Sequence, residues 1–135
     1  MMHSCRYALL LLLTAAPLAA QEPELEFAKH LFPPELVMQH QQNLRLTAEQ
    51  RTAITQGIRD LQLKVVDLQW KMQDEAQKLT ELVEGARVDE AQTLAQVDRV
   101  LGIEREIKRA HMALLVRIKN LLTSEQQDAL RNAKR

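Results

Sequence analysis

The side chains after residue 20 with most chemistry to offer are three histidines, His30, His40 and His111, and three methionines, Met38, Met72 and Met112. Histidine and methionine are metal ligands, but the expectation is no cofactor, a divalent metal being the alternative. Two ligands on one helix face need a spacing of three or four, as in His-x3-His or HExxH. Met38 and His40 are two apart and diverge on a helix, as do Glu35 and His40, five apart. His111 lies in an apolar arc between Ile107 and Leu114, where a hydrogen-bonded core or interface histidine is expected. A metal site would have to be assembled between helices or subunits, with His40 and His111 as its candidate donors.

Catalytic sets are missing from the pattern. Ser124 is the only serine after residue 20 and belongs to a helix start, next to Thr123. Asp74 with Glu75, and Glu104 with Glu106, alternate with basic residues in the manner of a solvated helix face. No glycine-rich phosphate loop or nucleophile elbow occurs. The chain reads as a non-enzyme. Formal charge is zero and aromatic content 3%, so neither a global field for nucleic acid nor a stacking platform is expected.

Arg6, the apolar run Tyr7–Leu13, then Pro17 and Leu18-Ala19-Ala20 have the layout of a secretory signal cleaved near Ala20. The expected location is the periplasm, an uncleaved membrane anchor being the alternative. Cys5 precedes the apolar run, whereas a lipoprotein cysteine would follow it, and no cysteine remains beyond it. Stability must then come from helix packing or oligomerisation rather than from disulfides.

The elements that position these side chains are helices throughout. Residues 21–33 read as a flexible acidic arm ending at Pro33-Pro34, and 34–135 as a single helical domain. Pro34 suits a first helical position, so a short helix is expected over Glu35–Leu44. The phrase Leu-Thr-x-x-Gln then occurs twice, at Leu46–Gln50 and Leu122–Gln126. Thr47 and Thr123 are placed as N-caps, with Gln50 and Gln126 three residues on to complete a capping box. Long helices are expected from Ala48 to Glu84, stopped by Gly85, and from Glu90 to Leu121, capped by Asp89; a short one follows over Ser124–Ala133.

Ile54, Ile58, Leu61, Val65, Leu68, Met72 and Leu79 recur at steps of three and four, a seam interrupted at Glu75. In the second long helix Val100, Ile103, Ile107, Leu114, Ile118 and Leu121 form the matching row. Two similar helices joined by a tight turn make an antiparallel hairpin. Leu63, Val66 and Trp70 fall almost opposite the first seam, where a hairpin cannot cover them. Leu101, Met112 and Leu115 form a second row on the other helix, mixed with Lys108. These seven residues are the candidate client- or partner-binding surface.

With Leu46, Thr47, Gln50, Leu122, Thr123 and Gln126 in an exported, cysteine-free, all-helical chain, the sequence resembles the Spy/CpxP superfamily, defined by its LTxxQ motif. The resemblance implies an all-α fold, a bent antiparallel hairpin with two short flanking helices, four in all, dimerised into a cradle. It implies an ATP-independent periplasmic chaperone or envelope-stress protein that holds unfolded or partly folded proteins. The alternative branch comprises heavy-metal sensors and resistance proteins, which regulate a membrane-bound partner such as a sensor kinase or an anti-sigma factor. In that branch the first and third helices carry His-x3-His and His-x3-Met. Here His40 has no histidine four away, and Leu115 stands four after His111.

Overall fold

The computed structural model describes residues 26–135, and these are helical without any strand. A 3-10 turn, Glu26–His30, precedes α1 (Pro34–Gln39), α2 (Gln41–Leu44), α3 (Ala48–Val83), α4 (Glu90–Leu121) and α5 (Ser124–Ala133). The leader expected over residues 1–20 lies outside the described residues. Among the described residues no helix is long and apolar enough to cross a membrane.

The hairpin of α3 and α4 is the body of the molecule. Gln50 bonds to the Leu121 carbonyl, Gly57 abuts Leu114, and Gln96 bonds to the Glu75 carbonyl. Each pair is centred on the bond between Gly85 and Ala86, so the helices run antiparallel in step along their length. The caps form as the residue types require. Thr47 Oγ1 accepts from the Gln50 N–H at 3.0 Å, while Gln50 Oε1 accepts from the Thr47 N–H at 3.0 Å. Thr123 and Gln126 repeat the exchange, and the Asp89 carboxylate accepts from the Gln92 N–H at 2.9 Å.

Three boundaries differ from expectation. α3 stops at Val83, with Glu84 still right-handed at φ −65°, and no described glycine has positive φ, so Gly85 turns the chain without acting as a left-handed stop. That role falls instead to Arg45, at φ 51° and ψ 50° after α2. The single helix expected over Glu35–Leu44 bends at His40 (φ −102°, ψ 12°), giving five α-helices rather than four. The His40 N–H still reaches the Leu36 carbonyl at 3.3 Å, so this is a bend in one helical segment that aims the Leu44 carbonyl at Gln126.

The acidic arm also ends in packed structure. Phe32 is fully buried, and burying such a ring is worth about 1.5–3 kcal/mol. Lys134 lies over the Phe32 ring at 5.1 Å from its centroid and donates to the Leu31 carbonyl at 2.6 Å, tying the incoming chain to the end of α5.

The core gathers at the base of the hairpin, where Phe32, Val37, Leu44, Ile54, Leu114, Ile118, Leu122 and Leu130 form one cluster. Short helices add a second layer there. Farther out only two helices face each other, and Leu68 and Ile103 are the buried apolar residues, with Gln96 the buried polar one. The rest of the seam is half-covered, as a two-helix layer must leave it.

Candidate functional site

The two repeated motifs meet. Gln50 Nε2 donates to Gln126 Oε1 at 2.8 Å, and Gln126 Nε2 donates to Gln50 Oε1 at 3.1 Å. Each amide spends its second N–H on the last carbonyl of another helix: Gln50 on Leu121 of α4 at 2.8 Å, Gln126 on Leu44 of α2 at 3.0 Å. Such carbonyls have no partner within their own helix. Spacing alone indicated the caps but not this junction, although two glutamines at equivalent positions of a repeat were the available signal. The motif residues therefore build the base and leave the exposed surface to other residues.

That surface starts on the side of the hairpin where α1 packs. A cleft of about 550 Å³ opens there between α1 and the hairpin, lined by Glu35 and Met38 of α1, Ile58, Leu61 and Gln62 of α3, and His111, Leu114 and Leu115 of α4. Val66 and Trp70 follow Gln62 at intervals of four, and Leu63 stands beside them. Leu101 and Lys108 precede Leu115 at intervals of seven, a spacing that drifts only about 20° per heptad on a straight helix. The α4 row thus climbs from the cleft toward the tip, whereas each step of four turns about 40° around α3, so that Trp70, with Leu63, faces away from α4. Leu63 is 71% exposed, Trp70 65%, Val66 49% and Leu101 48%. Lys108 is exposed, and Met112 and Leu115 are half-buried. At this level nothing else among the described residues covers them, because α1 and α2 span only the base.

His111 departs from the core reading: it is exposed, at the rim of the cleft, because α1 is too short to close over it. His40 sits at the bend between α1 and α2 and does not line that cleft. Among the described residues no group of three or more His, Cys, Asp or Glu side chains is placed to hold a metal ion.

The break in the seam at Glu75 has a partner that sequence reasoning missed. Gln96, 4% exposed, donates to the Glu75 carbonyl at 2.9 Å and to its carboxylate at 2.6 Å. Lys78 pairs with the same carboxylate at 2.8 Å. The bonds from Lys78 and Gln96 hold the Glu75 carboxyl below its ordinary value of 4.5, outweighing the opposing effect of burial. A polar pair within an apolar seam fixes the register of the two helices, since sliding by one turn would leave Gln96 buried without a partner. No buried side-chain N or O among the described residues lacks a hydrogen bond.

Comparison of the chain with known protein families, with curated proteins and with solved structures returns no match.

Proposed function

We propose that this protein is an ATP-independent periplasmic chaperone of the Spy/CpxP kind, holding unfolded or partly folded proteins on the apolar side chains exposed along the hairpin beyond α1. The observation that carries the reading is the exposure of Leu63, Val66, Trp70 and Leu101 from the middle of the hairpin outward, with Lys108 at the level of Leu63. Apolar side chains of this size, left exposed close together along a hairpin, mark an interaction surface. Clients would be held by many weak burials, with lysine favouring acidic segments during encounter. The repeated motif, which frames the hairpin, supports the family reading. A second copy of the chain would wall the surface into a cradle, and melting that rises with protein concentration would accompany such a dimer.

Aggregation of a reduced or heat-stressed client, followed without ATP, tests the proposal. Substoichiometric to equimolar protein should suppress light scattering. Leu63→Ser with Trp70→Ser should lose most of the effect while leaving helicity intact, because both side chains are solvent-exposed. Full suppression by this variant would overturn the assignment of the surface.

A second reading is a metal sensor or buffer acting on a sensor kinase or anti-sigma factor. It draws on Glu35, Met38 and His111 lining one cleft. Titration with zinc, copper, nickel and cobalt tests it: a rise in melting temperature that His111→Ala abolishes would favour it, and unchanged melting would remove it.

A further inference from the structure

Charge is sorted along the hairpin. With pairing centred between Gly85 and Ala86, residues 66–105 make the distal half, and residues 26–65 and 106–135 make the base. The base carries twelve Lys and Arg against seven Asp and Glu, whereas the distal half carries five against nine. The formal charge of zero therefore conceals a basic end and an acidic end. α3 is about 54 Å long at 1.5 Å per residue. Exposed charges are screened beyond about 8 Å at physiological ionic strength. A surface touching the base would feel the basic end and not the whole molecule.

Four arginines dominate that end. Arg51 and Arg59 line a hollow on α3, and Arg109 and Arg117 flank Met112, Ala113 and Val116 on α4. All four are exposed, and the ion pairs among the described residues involve none of them. They stand on two sides of the hairpin: Arg51 borders α1 beside Val37 and Met38, while Arg117 lines the opposite groove with Gly57, Asp60 and Lys64. Exposed apolar side chains accompany them, with Phe27 at 47%, Met38 at 52% and Val116 at 43%. The first described residues also enter the fold at this end and are held there by the bond from Lys134 to the Leu31 carbonyl.

We propose that the base of the hairpin docks on an anionic lipid surface, with the acidic distal half pointing away from it. Cations interspersed with exposed apolar groups suit the headgroup region of a membrane. Their company of exposed Phe27, Met38 and Val116 argues for lipid over an acidic protein segment, since an acidic segment would pair with the cations alone whereas the headgroup region also takes up apolar side chains. The inference extends beyond the client surface and would leave Val66, Trp70 and Leu101, all in the distal half, directed into solution.

The test is co-sedimentation of the chain from Gln21, which keeps the whole core, with vesicles of phosphatidylcholine alone or mixed with phosphatidylglycerol. Binding to the mixed vesicles should exceed binding to the neutral ones by about tenfold at low salt and fade as salt is raised. Arg51→Gln, Arg59→Gln, Arg109→Gln and Arg117→Gln combined should lose about tenfold or more, whereas Lys71→Gln, Lys78→Gln, Arg87→Gln and Arg99→Gln, the same change in charge at the distal half, should retain binding. Circular dichroism of both variants keeps folding separate from binding. Trp70 is the only tryptophan, and its emission should escape quenching by brominated lipid. Equal binding to neutral vesicles, equal loss in both variants, or quenching of Trp70 would overturn the proposal. Binding to polyglutamate without binding to vesicles would also overturn it, and would assign the arginines to an acidic protein.

Discussion

Gln50 and Gln126, 76 residues apart, hold each other's side-chain amides in a reciprocal pair with bonds of 2.8 and 3.1 Å. Each amide oxygen also accepts from the backbone N–H of its own motif's threonine, and each amide nitrogen also donates to a helix-terminal carbonyl. Both side chains thus use two donors and two acceptors, the full capacity of a primary amide. A pair of helix caps becomes the clasp that joins the starts of α3 and α5 to the ends of α2 and α4.

Breaking the clasp should cost more than losing one cap. Gln50→Ala and Gln126→Ala are each expected to destabilise by about 1–3 kcal/mol, since partly buried partners lose bonds they cannot replace. The double variant should cost less than the sum of the two, by on the order of 1 kcal/mol, because one removal already opens the pair. Urea unfolding of the four proteins measures the coupling, and strict additivity would show that the two amides act independently.

Thr47 and Thr123 contribute through the caps alone. Thr47→Ala and Thr123→Ala should each lose about 1 kcal/mol, and serine at either position should restore most of it. Shifts in denaturation midpoint report this directly. Serine behaving like alanine would show that the methyl group, not the hydroxyl, matters.

The two helical glycines should answer oppositely to alanine. A Cβ at Gly57 would come within 2.9 Å of Leu114 Cδ1, in the buried base, whereas a Cβ at Gly102 meets nothing within 4 Å. Gly102→Ala should stabilise by about 0.5–1 kcal/mol through helix propensity. Gly57→Ala gains the same propensity but must displace packed Leu114, and overpacking costs about 1–3 kcal/mol, so its net effect should be destabilising. A higher melting temperature for Gly57→Ala would mean that Leu114 has room to move.

Glu75 links the seam to pH. Its carboxyl is held below the ordinary 4.5, so near and below that pH the unfolded chain binds the proton more readily than the folded one. The contribution of Glu75 to stability is therefore present above pH 4.5 and is lost as the pH falls through the lowered folded value. Glu75→Gln should flatten the acid limb of a stability–pH curve and leave the neutral limb parallel to that of the parent. An unchanged acid limb would place the sensitivity elsewhere.

The helices were legible in the residue order because their causes are local. Thr47, Asp89 and Thr123 sit where orphan N–H groups need acceptors, and the three-and-four spacing from Ile54 to Leu79 marks one buried side. The exposed set, Leu63, Val66 and Trp70, was also readable, since a position opposite the seam of a hairpin has no neighbour to cover it. The left-handed turn was not: Arg45 takes it although Gly85 looked better suited, because the closing geometry around Leu44 and Gln126 outweighs a residue preference worth about 1 kcal/mol. Phe32 was likewise hidden in an acidic stretch, as one aromatic ring carries no period.

The sequence by itself determined where helices begin, which stripe they bury and which apolar side chains are left over, for those depend on neighbours within a turn or two. Only the tertiary structure decided which groups meet across the hairpin. Gln50 finds Gln126, Gln96 finds Glu75, and Lys134 closes over Phe32 through long-range packing that no local spacing encodes. It also turned the order of charges along the chain into two ends of opposite sign, because folding a chain back on itself brings residues 26–65 and 106–135 to the same place.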